Sequence, residues 1–284
     1  MPRPISPQRF AGLLLGWYDA HGRDLPWRKT RNPYEILLSE VMLQQTQVPR
    51  VLIKWKEWLA RFPTERDVAK ASVRDVLLAW QGMGYNNRAL RLKACCEKVA
   101  KNGWPSTPET IEELPGIGRY TAHAIACFAF GQRVPIVDVN VKLVYKPFVG
   151  DDAADDDYWK FATSILPKER FYDYNQALFD LGTVVRSGEL ETLPDEFKTL
   201  YENIERPKKA STEKLYGGHP MRLYRGALVQ FLRDTKGHSA TLAQCKTYLA
   251  SKLSDQPASF VKRVADNLAK DGIVKRDNNR IHLA

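Results

Sequence analysis

The stretch LPGIGRYTAHAIACFAF (114–130) decides the fold, because it joins a glycine-containing turn to an apolar helical segment. Gly116 and Gly118, one residue apart, let the backbone turn tightly between helices with its amides pointing outward. Amides at the start of the following helix can bind phosphate without reading a sequence. A Gly-x-Gly pair alone is weak, since many helix connections look like this. The interpretation therefore depends on the rest of the chain.

The segments around this turn also predict helices. Ser6, Ser72 and Thr107 are suitable N-caps, Pro7 and Pro108 suit the first turn, and Asn32-Pro33 is a further start signal. Residues 1–187 show little strand signal and no internal repeat. The sequence therefore predicts an all-α body.

The pattern changes after residue 187. Residues 188–218 contain Pro194, Pro207, Lys208, Lys209, Gly217 and Gly218. They are predicted to form an ordered crossover that becomes a linker. Residues 219–284 then predict three helices and a two-stranded ribbon. The helices are expected near Arg222–Thr235, Thr241–Lys252 and Pro257–Lys270, and the strands at 273–276 and 280–283 around a turn at 277–279.

Three helices followed by a ribbon is a winged-helix order, typical of small DNA-binding domains. The third helix of such a domain lies in the major groove, and Lys262 and Arg263 are suitably basic. Domains of this kind also mediate protein contacts, which remains the alternative.

The charge distribution favours a nucleic acid partner. Residues 206–284 carry 16 Lys+Arg against 6 Asp+Glu, which accounts for the whole net charge of +10. A basic appendage on a neutral body attracts a polyanion, because each neutralised phosphate releases counterions. The competing interpretation is a solubilising tail.

The cysteine pattern and the lengths of the apolar runs exclude several classes of protein. The four cysteines, Cys95, Cys96, Cys127 and Cys245, form no C-x-x-C pair, so neither a disulfide framework nor a zinc site is indicated. The N-terminus has no apolar signal core, and the longest apolar runs are too short to span a membrane. We expect a cytoplasmic, nucleoid-associated protein without a membrane partner.

Residues 17–187 resemble the helix-hairpin-helix DNA glycosylase superfamily, and the adenine DNA glycosylases in particular. The matching segments are HGRDLPWR (21–28), NPYEILLSEVMLQQTQV (32–48), GMGYNNRA (82–89), LPGIGRYTA (114–122), PIVDVNVKLV (135–144) and YNQALFDLG (174–182). They occur in the family's order and at similar spacing. The resemblance implies a two-lobed helical core that hydrolyses the bond between a flipped-out base and its sugar.

Two carboxylates carry the chemistry that the resemblance implies. Asp138 matches the aspartate that stabilises the oxocarbenium-like sugar, although an Asp before Val139-Asn140 is by itself more often a helix cap. Glu40 matches the acid that protonates the departing purine, although its pattern alone favours a solvent-facing side chain. An acid in that role needs partial burial and a raised pKa.

Two more residues match positions that assist around the sugar and the water, namely Tyr120 and Asn140. Relatives that also cleave the strand carry a Schiff-base lysine at the Tyr120 position. The resemblance therefore implies a monofunctional enzyme that leaves an abasic site. Lys142 is close in sequence, and its amine could be trapped adventitiously on the sugar of the DNA, which would not make the enzyme a lyase.

The resemblance also implies substrate contacts. Gln45 and Tyr85 match residues that push into the double helix, Arg23 and Trp27 match residues lining the base pocket, and Asp180 matches an acidic pocket position. Core packing is the alternative for Tyr85 and Trp27. The hairpin residues Gly116, Gly118 and Arg119, with Lys262 and Arg263, are the expected contacts to the DNA backbone.

The chain departs from the family in two places. Most relatives carry four iron–sulfur cysteines after residue 182, whereas here the first falls at about Arg186 and Cys245 is the sole later cysteine in the sequence. We expect no cluster and no other cofactor, so residues 188–207 must be held by packing. Adenine glycosylases that act opposite 8-oxoguanine usually carry a Nudix-like C-terminal domain that reads this base, whereas the C-terminal segment here resembles a winged helix. The resemblance therefore does not by itself imply recognition of 8-oxoguanine.

The base that is removed therefore stays open at this stage. Glu40 and the LQQTQ run (43–47) favour adenine opposite 8-oxoguanine or guanine. The stretch Asn86-Asn87-Arg88 has features of the branch that removes thymine or uracil opposite guanine. A modified-base glycosylase and a non-catalytic DNA-binding protein are further alternatives. In each case we expect a monomer acting on double-stranded DNA.

Overall fold

The computed structural model describes residues 5–206, 213–277 and 280–284. The described chain is mostly helical, as predicted. The helices are α1 (Pro7–His21), α2 (Pro33–Leu43), α3 (Val48–Arg61), α4 (Glu65–Lys70), α5 (Val73–Ala79), α6 (Asn87–Asn102), α7 (Pro108–Glu112), α8 (Arg119–Phe128), α9 (Val139–Val149), α10 (Asp155–Ile165), α11 (Phe171–Ser187), α12 (Asp195–Tyr201), α13 (Met221–Asp234), α14 (Leu242–Lys252) and α15 (Ala258–Lys270). A 3₁₀ turn covers Pro26–Arg28.

The strands are short and lie in the last third of the chain. They are β1 (Leu215–Tyr216), β2 (His219–Pro220), β3 (Ser239–Thr241), β4 (Val274–Asp277) and β5 (Arg280–Leu283). Strands β1 and β2 form an antiparallel pair. Strands β3, β5 and β4 form an antiparallel sheet in that order, with Ala240 and Arg276 each paired to Ile281.

Local capping explains where several helices begin. The hydroxyls of Ser6, Ser72 and Thr107 accept the amides of Arg9, Asp75 and Thr110, respectively. Each bond satisfies an amide that has no partner within the helix. These predicted starts are confirmed. The helix expected to reach residue 130 ends at Phe128.

The chain forms two compact units. Unit 1 comprises Met1–Leu37, Pro105–Glu113 and Ile117–Lys209. In its core, α11 packs against α1 and α9. The largest fully buried side chains there are aromatic: Phe10, Tyr145, Tyr174, Phe197 and Tyr201.

Residues 188–206 are held by packing onto this core, as expected. Leu193, Phe197 and Tyr201 are buried, and the Tyr201 hydroxyl donates to the Val144 carbonyl at 2.9 Å. Helix α12 was not foreseen in this segment. Pro207, Lys208 and Lys209 lie outside the described residues.

Unit 2 comprises Leu38–Trp104, Leu114–Gly116 and Ala210–Ala284. The C-terminal helices and strands share a hydrophobic cluster with α5, because Leu77 is fully buried among Leu228, Val229 and other residues of that cluster. Arg233 of α13 donates to the Leu77 carbonyl at 2.7 Å and to Asn86 Oδ1 at 2.9 Å. The C-terminal segment is therefore part of a larger unit.

The three C-terminal helices and the two-stranded ribbon occur where the pattern predicted them. Thr241 caps α14 through the amide of Gln244. Strand β3 is an additional element that pairs with β5. Of the predicted turn, Asn278 and Asn279 lie outside the described residues. The assignment of this segment as a winged helix stays a prediction. Over the described ranges, no helix is both long and apolar enough to cross a membrane.

Candidate active site

Asp138 is the N-cap of α9 in unit 1. Its Oδ1 accepts the backbone amides of Asn140 at 2.9 Å and Val141 at 2.7 Å, and its Oδ2 accepts Asn140 Nδ2 at 3.0 Å. The helix start needs these acceptors, so the carboxylate is fixed without backbone strain. Asp138 is therefore a helix cap, which does not prevent it from acting on a ligand.

Burial raises the pKa of Asp138 above its ordinary value and outweighs the donors at Val141 and Asn140, which lower it. Folding thus favours the protonated form of this carboxyl. The stabilisation that results is present below the ordinary pKa and is lost as the pH rises through the raised one. Ionisation of this carboxyl gives an incompletely solvated anion, because burial penalises its charged form. Such a group suits the stabilisation of a nearby cation.

Asn140 connects Asp138 to Arg186 of α11. Arg186 Nη1 donates to Asn140 Oδ1 at 2.6 Å, and the same guanidinium lowers the pKa of Asp138. Gly182 lets α11 approach this closely, since a Cβ there would lie 2.8 Å from Asn140 Cβ and 3.0 Å from its carbonyl oxygen. The structure thus forms a continuous chain from carboxylate to amide to guanidinium.

Tyr120 lies in the first turn of α8, partly buried, with its ring packed edge-on against Phe179 at 6.1 Å between centroids. Lys142, one turn into α9, forms an ion pair with Asp155. Its amine is therefore held by a carboxylate at the start of the next helix.

The predicted pocket residues Arg23 and Asp180 are brought together. Arg23 donates to Asp180 from its amide at 2.9 Å and from Nε at 2.6 Å. Arg28 donates a bidentate pair at 2.9 and 2.7 Å. Burial alone would raise the pKa of Asp180, but the bonds and charges of Arg28 and Arg23 lower it overall. Trp27 is also buried.

The hairpin joins α7 to α8. Gly116 needs to be glycine, because its φ is 76° and a Cβ would lie 2.7 Å from Arg91 Cβ. Gly118 is the N-cap of α8 and has no side chain to cap it, which leaves the helix start to water or an anion. Arg119 donates to Asp156 at 2.9 Å, and its guanidinium lies 4.1 Å from the centroid of the Trp159 ring.

Unit 2 carries three of the predicted catalytic and substrate-contacting residues. Glu40 is 7% exposed on α2. Gln45 and Tyr85 are exposed, and both have positive φ angles of 55° and 44°. Tyr85 is 50% exposed, so the core-packing alternative for this residue is not observed.

Lys262 and Arg263 lie on α15 and are exposed. Arg263 lies over two aromatic rings, at 5.2 Å from the Tyr216 centroid and 5.1 Å from the Phe260 centroid. Lys262 is therefore the less constrained of the two cations.

The cysteines do not fit an iron–sulfur cluster. Cys95 and Cys96 are neighbours on α6, Cys127 is on α8 and Cys245 on α14, and all are buried. Burial raises the pKa of Cys95 to about 12 and that of Cys245 to about 11, which disfavours the thiolates that bind iron. Within the described ranges, no group of three or more His, Cys, Asp or Glu could hold a metal ion.

Two arginines, Arg186 in unit 1 and Arg88 in unit 2, were missed as functional candidates from the sequence. Arg186 was noted as the place of an absent cysteine, and Arg88 was noted for its neighbours. Their partners lie 46 residues away for Arg186 and up to 47 away for Arg88. No local pattern could have paired them.

The comparisons with known proteins agree with this fold. Residues 38–164 match the model of the HhH-GPD superfamily base excision DNA repair proteins. An adenine DNA glycosylase of Mycolicibacterium smegmatis is 35% identical over 93% of this chain and 92% of its own length. The chain therefore belongs to the HhH-GPD superfamily.

Two further relatives cover less of the chain. An adenine DNA glycosylase of Mycobacterium tuberculosis is 42% identical over 65% of this chain, and the match spans 62% of that relative. The solved structure of a thermostable thymine-DNA glycosylase is 28% identical, with a TM-score of 0.60 over 63% of this chain and 86% of its own.

Proposed function

We propose that the protein is a monofunctional DNA glycosylase of base excision repair that removes a mispaired adenine. The substrate is double-stranded DNA with adenine opposite 8-oxoguanine or guanine. Hydrolysis breaks the bond between the base nitrogen and the sugar C1′. Water supplies the hydroxyl to the sugar, and the base leaves with a proton.

The half-buried carboxylate of Asp138, fixed by its hydrogen bonds at the start of α9, is the observation that carries this proposal. A departing base leaves positive charge on the sugar, and a fixed anion in a poorly hydrated site stabilises that charge. Oδ1 is occupied by two amides, whereas Oδ2 accepts one bond, from Asn140. Oδ2 is therefore the atom that we assign to the sugar, with Asn140 and Tyr120 assisting around the attacking water.

Glu40 is proposed as the acid that protonates the base. Its burial on α2 suits a carboxyl that has to deliver a proton in a water-poor environment. Arg23 and Trp27 are proposed to line the base pocket. Asp180 is proposed to act there by holding Arg23, because its oxygens already accept bonds from Arg23 and Arg28.

Tyr120 and Lys142 support the proposal of monofunctional chemistry. A lyase needs a free amine that attacks the sugar carbon. Tyr120 has none, and the amine of Lys142 is engaged by Asp155. We therefore expect an intact strand with an abasic site, which alkali converts to a break.

DNA is proposed to be held mainly through its phosphates. The turn at Gly116 and Gly118 and the start of α8 can present amides to a phosphate, and Arg119 adds positive charge. Lys262 and Arg263 would add contacts from α15. Extruding a base costs a few kcal/mol of unstacking. Gln45 and Tyr85 are proposed to fill the gap that the base leaves.

Adenine is preferred as the target for two reasons. Glu40 and the LQQTQ run match the adenine branch, and a relative aligned over 93% of the chain, including the C-terminal segment, is an adenine DNA glycosylase. A panel of duplex oligonucleotides under single-turnover conditions, followed by alkali, tests this proposal. Cleavage at adenine opposite 8-oxoguanine or guanine is expected. Failure of every mispair to yield an abasic site would refute it.

Thymine or uracil opposite guanine is the second candidate. The similarity to a thymine-DNA glycosylase structure and the Asn86-Asn87-Arg88 stretch favour it. The same panel separates the two, because this candidate predicts cleavage of T:G and U:G duplexes and none at adenine. Tight binding without product from any duplex would favour a non-catalytic DNA-binding protein.

A further inference from the structure

Gln45 and Tyr85 share an unusual backbone conformation. Their φ angles are 55° and 44°, in the left-handed region that side chains with a Cβ rarely adopt. Such a backbone conformation is strained and persists only when its surroundings enforce it. Both side chains are exposed, so neither gains core packing in return.

One buried side chain, Arg88, contacts the backbone beside both residues. Next to Gln45, it donates to the Gln44 carbonyl at 2.5 Å and to Thr46 Oγ1 at 3.1 Å. Next to Tyr85, it donates to the carbonyls of Met83 at 2.8 Å and Gly84 at 3.4 Å.

Arg88 also completes the end of α2. Its Nη1 donates to the carbonyls of Val41 at 2.8 Å and Met42 at 3.0 Å, which belong to the last turn of that helix. Such carbonyls have no partner within the helix. In addition, the backbone amide of Arg88 donates to the Tyr85 carbonyl at 2.9 Å. The guanidinium therefore links two segments that are distant in sequence.

Burying this cation is costly. Arg88 is 7% exposed, and burial lowers its pKa to about 10. All six acceptors are neutral oxygens, so no ion pair among them offsets the loss of hydration. A planar guanidinium with several donors satisfies many acceptors at once, which an ammonium group cannot do.

We propose that Arg88 is a positioning residue that holds Gln45 and Tyr85 in their strained, outward-facing conformations, ready to enter the DNA helix. The inference rests on the proposed function, because it assigns to both residues the task of replacing the extruded base. Arg88 acts through them and touches no reacting atom. Holding both side chains beforehand removes an ordering cost from each binding event.

Lys93 offers a matched control on the same helix. It is also buried and donates to backbone carbonyls, of Val68 at 3.4 Å and Ala69 at 2.9 Å. Those carbonyls do not flank a strained residue. Lys93→Met and Arg88→Met both remove a buried cation from α6, so both should lower the melting temperature. A specific effect of Arg88 must exceed what Lys93→Met causes.

The decisive variant is Arg88→Lys, which keeps the charge and loses most of the six bonds. Single-turnover cleavage of a duplex that carries the mispair should slow by about 10- to 100-fold. The reason is that most of the six hydrogen bonds of Arg88 are lost. The defect should shrink when the target adenine lies opposite an abasic-site analogue, because little pairing then opposes extrusion. Lys93→Met should show neither effect at a temperature where it is folded.

Two readouts separate positioning from simple stability. In a mutant cycle, Arg88→Lys should add little to the combined change Gln45→Ala with Tyr85→Ala, because both residues that Arg88 positions are then gone. The fluorescence of 2-aminopurine at the target position should rise on binding wild type and rise less with Arg88→Lys. Additive effects in the cycle, or an unchanged fluorescence rise, would overturn the proposal. If wild type cleaves no duplex, the proposed function fails, and the fluorescence comparison still tests Arg88 alone.

Discussion

In unit 1, Asp138 lies at an ordinary helix start, with φ −110° and two backbone amides on one oxygen. In unit 2, Gln45 and Tyr85 lie in left-handed conformations beside a buried arginine. In the first region, burial makes the charged form of the Asp138 carboxyl unfavourable. In the second region, the backbone of Gln45 and Tyr85 is strained. The difference fits the proposed roles, in which Asp138 supplies a fixed charge for the chemistry and Gln45 and Tyr85 are held out into solvent for base extrusion.

Removing the carboxylate charge of Asp138 should have the largest effect on the cleavage rate. Asp138→Asn keeps a good N-cap and removes the anion, so single-turnover cleavage should fall on the order of 10²–10³-fold or more. Duplex affinity should stay nearly unchanged. The melting temperature at neutral pH should not fall, because the burial that raises the pKa of Asp138 penalises the charged form.

Asp180→Asn tests whether any buried carboxylate would behave this way. It leaves Arg28, which is 8% exposed, without its anion, and breaking a buried pair costs about 3–5 kcal/mol. A marked drop in melting temperature is therefore expected, opposite to Asp138→Asn. Full activity of Asp138→Asn would remove Asp138 from the proposed chemistry.

Replacing Tyr85, one of the two strained residues, should have the next largest effect on the cleavage rate. Tyr85→Gly removes the exposed ring and a left-handed side chain, while glycine adds entropy to the unfolded chain by roughly 0.5–1 kcal/mol. These terms oppose each other, so the melting temperature should move little. Cleavage should fall by about tenfold or more because the extruded base is not replaced. A large loss of stability with normal cleavage would contradict this assignment.

Removing two positive charges from α15 should have a moderate effect on duplex binding. Lys262→Gln with Arg263→Gln should weaken duplex binding and reduce the slope of log affinity against log salt by up to about 2. Cleavage of bound duplex should change little. Lys198→Gln, on α12 and paired with Asp195, is the control. An unchanged salt slope would indicate that α15 does not contact DNA.

Point substitutions test this surface better than deletion of residues 206–284. The deletion should weaken duplex affinity, because it removes the basic C-terminal residues. It would also expose Leu77 and remove the bonds of Arg233 to the Leu77 carbonyl and Asn86. Asn86 directly follows Tyr85, so truncation would disturb stability and extrusion together.

The smallest expected effect is a shift of the pH profile. Arg186 lowers the pKa of Asp138, and Arg186→Gln removes that charge. In the proposed mechanism the ionised carboxylate of Asp138 is the active form, so the acidic limb of the cleavage rate should move to higher pH. Cleavage at neutral pH should change much less. Arg9→Gln, which breaks an exposed pair with Glu196, should leave the limb in place.

Sequence reasoning located several helix starts and the hairpin. It failed where the deciding contact is remote. Glu40 is an example, since its apolar neighbours alone favoured a solvent-facing side chain, yet it is 7% exposed. Helix α12 is another, because its burial depends on a core formed by α1, α9 and α11.

By itself, the sequence determined the features that act over three or four residues. The Asp138 cap and the Gly116 turn are of this kind, because an N-cap bond or a positive φ depends on adjacent backbone. Tertiary structure alone decided which side chains support them. Arg88 reaches Val41 across 47 residues and Arg233 reaches Leu77 across 156, so these bonds exist only after the chain has folded around them.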